Sequence, residues 1–161
     1  MTNLEFCISR RKAETPVFLR VLKAIPKSRL DYRPDPKART AIELAWVLAS
    51  EEAALTSLIK DGVVEWKESK PPSNIDEAVA AYEKWSADVN GRLEHLDQPA
   101  WDKKVRFLMG GGAAWEDSLG QMVWGFLFDA IHHRGQLSTY LRPMGSRVPS
   151  IYGPTADDPG Q

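Results

Sequence analysis

Two of the three histidines in the chain, His132 and His133, are adjacent, and Asp129 lies four residues before the second. On a helix, residues four apart share a face, so Asp129 and His133 point the same way. Met122, Phe126, Gln136 and Tyr140 fall near that face. A carboxylate and an imidazole on an apolar stripe are costly unless paired, hydrogen-bonded or bound to a metal. The residues favour a structural pair: Asp129 accepts a hydrogen bond from His133, and Arg11 or a water satisfies what remains. Metal ligation by the same two side chains is the alternative. His132 points about 100° away and reads as a supporting or interface residue. Arg134 and Gln136 read as helix-surface or inter-helix hydrogen-bonding groups.

Three further residues could take part in chemistry. Glu51 sits in the middle of the seam formed by Leu44, Leu48, Leu55 and Leu58. It is expected at the seam's edge in solvent, because an unpaired glutamate is rarely buried. Arg11 falls on the seam of the first helix. The expected arrangement is an edge position with its stem snorkelling; the alternative is an inward Arg11 that reaches a central cavity. Cys7 lies near a helix start, where the dipole lowers a thiol's pKa. A lone cysteine on an amphipathic helix is usually packing, and Cys7 is read so. Gly110-Gly111-Gly112 is a flexible loop without the Gly-Lys-Ser or Gly-Lys-Thr of a phosphate loop.

Four helices must position these groups. Thr2 and Glu5 form a capping box for a helix over 4–25, which Pro16 should bend or interrupt. Thr40 and Glu43 form a second box, for a helix running to about Lys60. Ser73 or Asn74 caps a third, whose stripe is Ile75, Val79, Tyr82, Trp85, Val89, Leu93 and Leu96. His95, near its end, favours the helix dipole. The segments 26–39, 61–74 and 97–114 read as loops or irregular chain, with 105–109 a short extended piece. The last helix covers 116–142. Gly120, Gly125 and Gly135 inside it each cost about 1 kcal/mol against alanine, which points to close approach by another helix or chain. Pro143 and Gly145 stop it. The tail is extended to about Gly153, and 155–161 should fray.

The 161 residues suit one domain over 1–161. Composition is 43% hydrophobic and 27% charged, ordinary for a globular protein, and the net charge of -1 gives no field to attract nucleic acid or an anionic membrane. The single cysteine excludes an internal disulfide framework and suits a reducing compartment. The start meets charge too soon for a secretory h-region, and no apolar run reaches the roughly 18 residues of a membrane span. Cytoplasmic location is therefore expected.

The run His132-His133-Arg134-Gly135-Gln136-Leu137-Ser138-Thr139-Tyr140-Leu141-Arg142, then Pro143-Met144-Gly145 and Val148-Pro149-Ser150-Ile151-Tyr152-Gly153, resembles the C-terminal signature of the DinB-like family. Leu30-Asp31-Tyr32-Arg33-Pro34 and Arg39-Thr40-Ala41-Ile42-Glu43-Leu44-Ala45-Trp46 extend the likeness over most of the chain. The resemblance implies an all-α, four-helix bundle of the DinB/YfiT type, with a long C-terminal helix and an extended tail. It also implies a divalent-metal site, usually of three histidines, at the positions of Val47, Asp129 and His133. Only His133 matches. Asp129 can still ligate, Val47 cannot, and Glu51, one turn beyond Val47, is the candidate substitute. Such a set is oxygen-rich and shifts preference from zinc or nickel towards manganese or magnesium. The expectation is one divalent ion (zinc, nickel or manganese), weakly bound or absent.

By the same resemblance the protein would be a metal-dependent thiol transferase or hydrolase-like enzyme, using a low-molecular-weight thiol at a degenerate metal site, with Arg11 holding an acidic group of the substrate. The competing reading is a non-catalytic bundle that has lost the metal and binds a small molecule or serves a structural, stress-related role. A homodimer is expected in either case, and no nucleic acid or membrane partner.

Overall fold

Both capping boxes form as their spacing predicts. The Thr2 hydroxyl accepts from the Glu5 amide at 3.1 Å, and the Glu5 carboxylate accepts from the Thr2 amide at 2.7 Å. The same exchange joins Thr40 and Glu43. In the computed structural model, which describes residues 1–160, these caps open α1 (Asn3–Lys23) and α2 (Ala41–Asp61). Asn74 caps α3 (Ile75–Glu94), and Asp97 caps the short α4 (Gln98–Asp102). Ser118 caps α5 (Leu119–Leu141). Pro16 does not interrupt α1 as expected; the helix passes through it, and the Thr15 hydroxyl donates back to the Arg11 carbonyl at 2.9 Å.

A pure four-helix bundle is not the architecture. Among the described residues there is also a sheet of three strands, β1 (Val63–Glu65), β2 (Lys104–Met109) and β3 (Ala113–Ser118), in that order. β1 runs parallel to β2, and β3 is antiparallel to it. Glu116 and Asp117, expected in the last helix, belong to β3 instead. Two physical causes shorten the helix. Ser118 is the better cap, accepting from the Gln121 amide at 3.2 Å. Glu116 lies across from Arg106 and near Lys104, a favourable cross-strand charge arrangement. Gly111 and Gly112, at φ of +80° and +85°, turn the β2–β3 hairpin.

The long helices bury two apolar clusters, one at each end. Phe18, Leu22, Leu44, Leu48, Tyr82 and Leu137 belong to the first. Cys7, Leu55, Leu58, Val89, Leu93 and Met122 belong to the second. Between them lies a layer of buried charged groups: Arg11 and Glu14 on α1, Glu51 and Glu52 on α2, and Arg134 on α5. The tail does not fray over the described part of 155–161. Asp157 accepts from the Val148 amide and pairs with Arg142, both at 2.9 Å, while Asp158 accepts from the Ser150 amide at 2.7 Å. Gln161 lies outside the described residues. Among the described residues no helix is long and apolar enough to cross a membrane.

Candidate metal centre

Asp129 and His133 do share a face of α5, and α2 brings Glu51 to them. One ligand atom from each of the three lies within 4.8 Å of the other two. His133 Nε2 is 3.4 Å from Asp129 Oδ2 and 3.9 Å from Glu51 Oε1. Both separations are long for hydrogen bonds. The structural pair therefore lacks the close contact it requires. Gln136, one turn on, accepts from His133 Nδ1 at 3.0 Å. A proton held at Nδ1 leaves the Nε2 lone pair facing the two carboxylates, the orientation a metal-bound imidazole needs.

Glu51 departs most from expectation. It is 4% exposed, not at a solvated edge. Its Oε2 is buried without a hydrogen-bond partner. Burial pushes its carboxyl up to about 10, helped by the neighbouring Asp129 carboxyl and the Glu52 charge. A buried acid with an unpartnered oxygen, facing a second carboxylate and an imidazole, is poorly satisfied by protein alone. A divalent cation satisfies all three groups at once, so the donor set fits a metal.

Arg11 is not in this cluster. It is 3% exposed, which excludes the snorkelling edge position. Its Nη2 meets Glu52 at 2.5 Å, and its Nε donates to Asn90 at 3.0 Å. It does not line the cleft, and its buried Nη1 has no hydrogen-bond partner. Cys7 is fully buried, and burial pushes its thiol up to about 11 despite the Arg11 charge. It is packing, as read from sequence. Arg134 is an inter-helix group: it meets Glu14 and the Tyr152 hydroxyl, each at 2.5 Å, and stacks over Phe18.

The cluster opens into a cavity of about 480 Å³, within the range of small-molecule sites. Val47 lines it beside Glu51, where an imidazole is expected from the resemblance. Arg39, Trp66, Phe107, Met109 and Trp115 also line it, and no sequence pattern singled them out. Trp66, following β1, packs 6.2 Å from Phe107 of β2, which meets Phe126 of α5 edge-on at 5.4 Å. Trp115 stands opposite Phe107 across the β2–β3 register. A Cβ on Gly125 would lie 2.7 Å from the Trp115 ring. That glycine carried a signal, since it announced a close approach; the approaching group is the hairpin's tryptophan. Gly120 likewise admits Trp101, whereas nothing lies near Gly135.

The family model for the DinB family matches residues 7–160. A DinB-like protein from Bacillus cereus superposes with a TM-score of 0.75 at 19% identity, covering 92% of this chain and 97% of its own. A DinB-like protein from Bacillus subtilis gives 0.67 at 18% identity, covering 86% and 92%. The mycothiol-dependent maleylpyruvate isomerase gives 0.54 at 16% identity; the match covers 89% of this chain and 61% of the isomerase. No curated protein matches the sequence.

Proposed function

Because the chain belongs to the DinB family, we propose that it is a metal-dependent enzyme of thiol-transfer chemistry acting on a small molecule in the cleft. Glu51, Asp129 and His133 would hold one divalent cation. The observation that carries the reading is the convergence of three ligand atoms around a buried carboxyl whose Oε2 has no partner. The structural likeness to a mycothiol-dependent isomerase supports a thiol as co-substrate. A cation in this position would lower the pKa of a low-molecular-weight thiol and hold it as the thiolate nucleophile.

The chain's own residues supply the rest. Glu51 must give up its proton before its carboxylate can ligate, so loading is favoured as pH rises. Gln136 fixes the tautomer of His133. Asp129, on the exposed side of α5, is the ligand nearest solvent, with 58% of its side chain accessible. The aromatic walls exclude water from one side of the site and strengthen electrostatic interactions there. Two carboxylates and one imidazole favour manganese or magnesium over zinc or nickel.

Elemental analysis tests the reading, on protein purified without chelator or a histidine tag and then equilibrated with manganese, nickel or zinc. The expected result is about one ion per chain, lost in Asp129→Ala and His133→Ala. If no metal binds even when offered, the enzyme reading fails and a non-catalytic small-molecule-binding protein takes its place.

A further inference from the structure

The cleft lining carries two kinds of charge. Glu51, Asp129 and His133 share it with Arg39, its one arginine or lysine among the described residues. Arg39 immediately precedes the cap of α2, and its carbonyl accepts from the Tyr140 hydroxyl at 3.1 Å. Tyr140 is buried in α5, so the backbone carrying Arg39 is tied to the helix that carries the ligands. The Arg39 charge also reaches Glu51, whose acidity it increases.

The Arg39 guanidinium pairs with Glu68 at 2.6 Å, but the pair is exposed, with 45% and 67% of the two side chains accessible. Exposed pairs of this kind contribute little, so exchange of Glu68 for another anion costs little. Glu68 does not line the cleft; it lies in a smaller neighbouring pocket to which Arg39 also contributes. Seen from inside the cleft, the charge on offer at this point is positive. The Asp129 carboxylate on the same lining repels a second anion. The lining also includes the flat faces of Trp66, Phe107, Trp115 and Phe126, which favour a planar, apolar body.

We infer that the cleft recognises a small planar aromatic or conjugated carboxylate, its anionic group on Arg39 and its ring against Trp66 and Trp115. The inference rests on the reading of the cleft as a small-molecule site. It assigns the anion to Arg39, not to the cation, so it holds for metal-free protein.

The test uses 2-naphthoate and its uncharged analogue 2-naphthamide, titrated against chelator-treated protein with tryptophan fluorescence as readout. Manganese uptake is measured separately on the same preparation. Naphthoate should quench saturably and bind at least about tenfold more tightly than naphthamide. Arg39→Gln should remove that preference and leave naphthamide binding unchanged, while Trp115→Ala should weaken both. Equal binding of the two probes, or a naphthoate preference that survives in Arg39→Gln, would overturn the inference. So would naphthoate binding that requires manganese, because the carboxylate would then sit on the cation. Naphthoate binding through Arg39 without any manganese uptake would uphold this inference and remove the metal reading.

Discussion

Glu51 and Glu52 are neighbours on α2, and both are 4% exposed. Burial pushes both carboxyls above the usual carboxylate range. Their surroundings then diverge. Glu52 has the Arg11 guanidinium at 2.5 Å, which opposes the effect of burial. Glu51 has another carboxyl beside it and an oxygen without a partner. The same contrast recurs on α5. Arg134 is sealed between Glu14 and Tyr152, whereas its neighbour His133 opens onto the cleft. One side of the mid-bundle layer is a charge network in which each acid faces an arginine, although the buried Arg11 Nη1 makes no hydrogen bond. The other gathers two acids and an imidazole on the wall of a cleft, with no ion pair from a lysine or arginine to Glu51 among the described residues. Neither buried charge nor a single unpartnered atom marks a site; what marks it is a converging set of like acids and an imidazole that opens onto a cavity.

The largest expected effect breaks the closed side. Arg134→Ala would leave Glu14 as a buried carboxylate facing only Arg10 and Tyr152. Removing one partner of a buried pair costs about 3–5 kcal/mol. Denaturant unfolding should show a loss of that order. A loss below about 1 kcal/mol, the level of an exposed pair, would mean that the two sides do not differ.

Glu51→Gln sharpens the open side, and the expected sign is opposite. With its carboxyl raised to about 10, Glu51 is protonated in the metal-free fold across neutral pH and ionised in the unfolded chain. The folded state binds the extra proton. Its contribution is therefore fully present below the ordinary carboxylate pKa, and it is lost as pH rises through about 10. Metal-free wild type should lose stability from mildly acid to alkaline pH. Glu51→Gln, which has no such proton, should lack that component and be the more stable of the two at neutral and alkaline pH. Parallel pH profiles would show that Glu51 is already ionised in the fold, held by His133 without a metal.

The closed side was only half legible in the sequence, and the open side less so. Capping hydroxyls and three- and four-residue apolar spacing are local, so α1, α2, α3 and most of α5 could be read directly. The pairing of Asp129 with His133 on one face was equally local. Glu51 and Arg11 were not. Their depth depends on which helices pack beside theirs, and an average prior against buried charge points the wrong way at a mid-bundle layer of five charged residues. The extended piece over 105–109 is β2, but its partners escaped because β1 has three residues and β3 presents a polar sequence, Trp115-Glu116-Asp117-Ser118. Only pairing with β2 makes either a strand. With the sheet went Trp66, Phe107 and Trp115, and hence the shape of the cleft.

Two of the three glycines of α5 repeat the comparison at smaller scale. A Cβ on Gly120 would lie 2.5 Å from Trp101, and one on Gly125 would lie 2.7 Å from Trp115. The clashes are similar, but the rings are not equally free. Trp101 is 3% exposed and donates from Nε1 to Asn3 at 3.2 Å, so it has nowhere to go. Trp115 is 39% exposed beside a glycine-turned hairpin and can swing outward. Gly120→Ala should therefore carry an overpacking cost of about 1–3 kcal/mol. In Gly125→Ala the gain in helix propensity, about 1 kcal/mol, should offset most of the displacement. Its net effect on stability should be the smallest of the substitutions considered, while Trp115 fluorescence shifts to the red as the ring leaves the cleft wall. If Gly125→Ala is as costly as Gly120→Ala, Trp115 is a fixed part of the core, and the cleft is as closed as the charge network behind it.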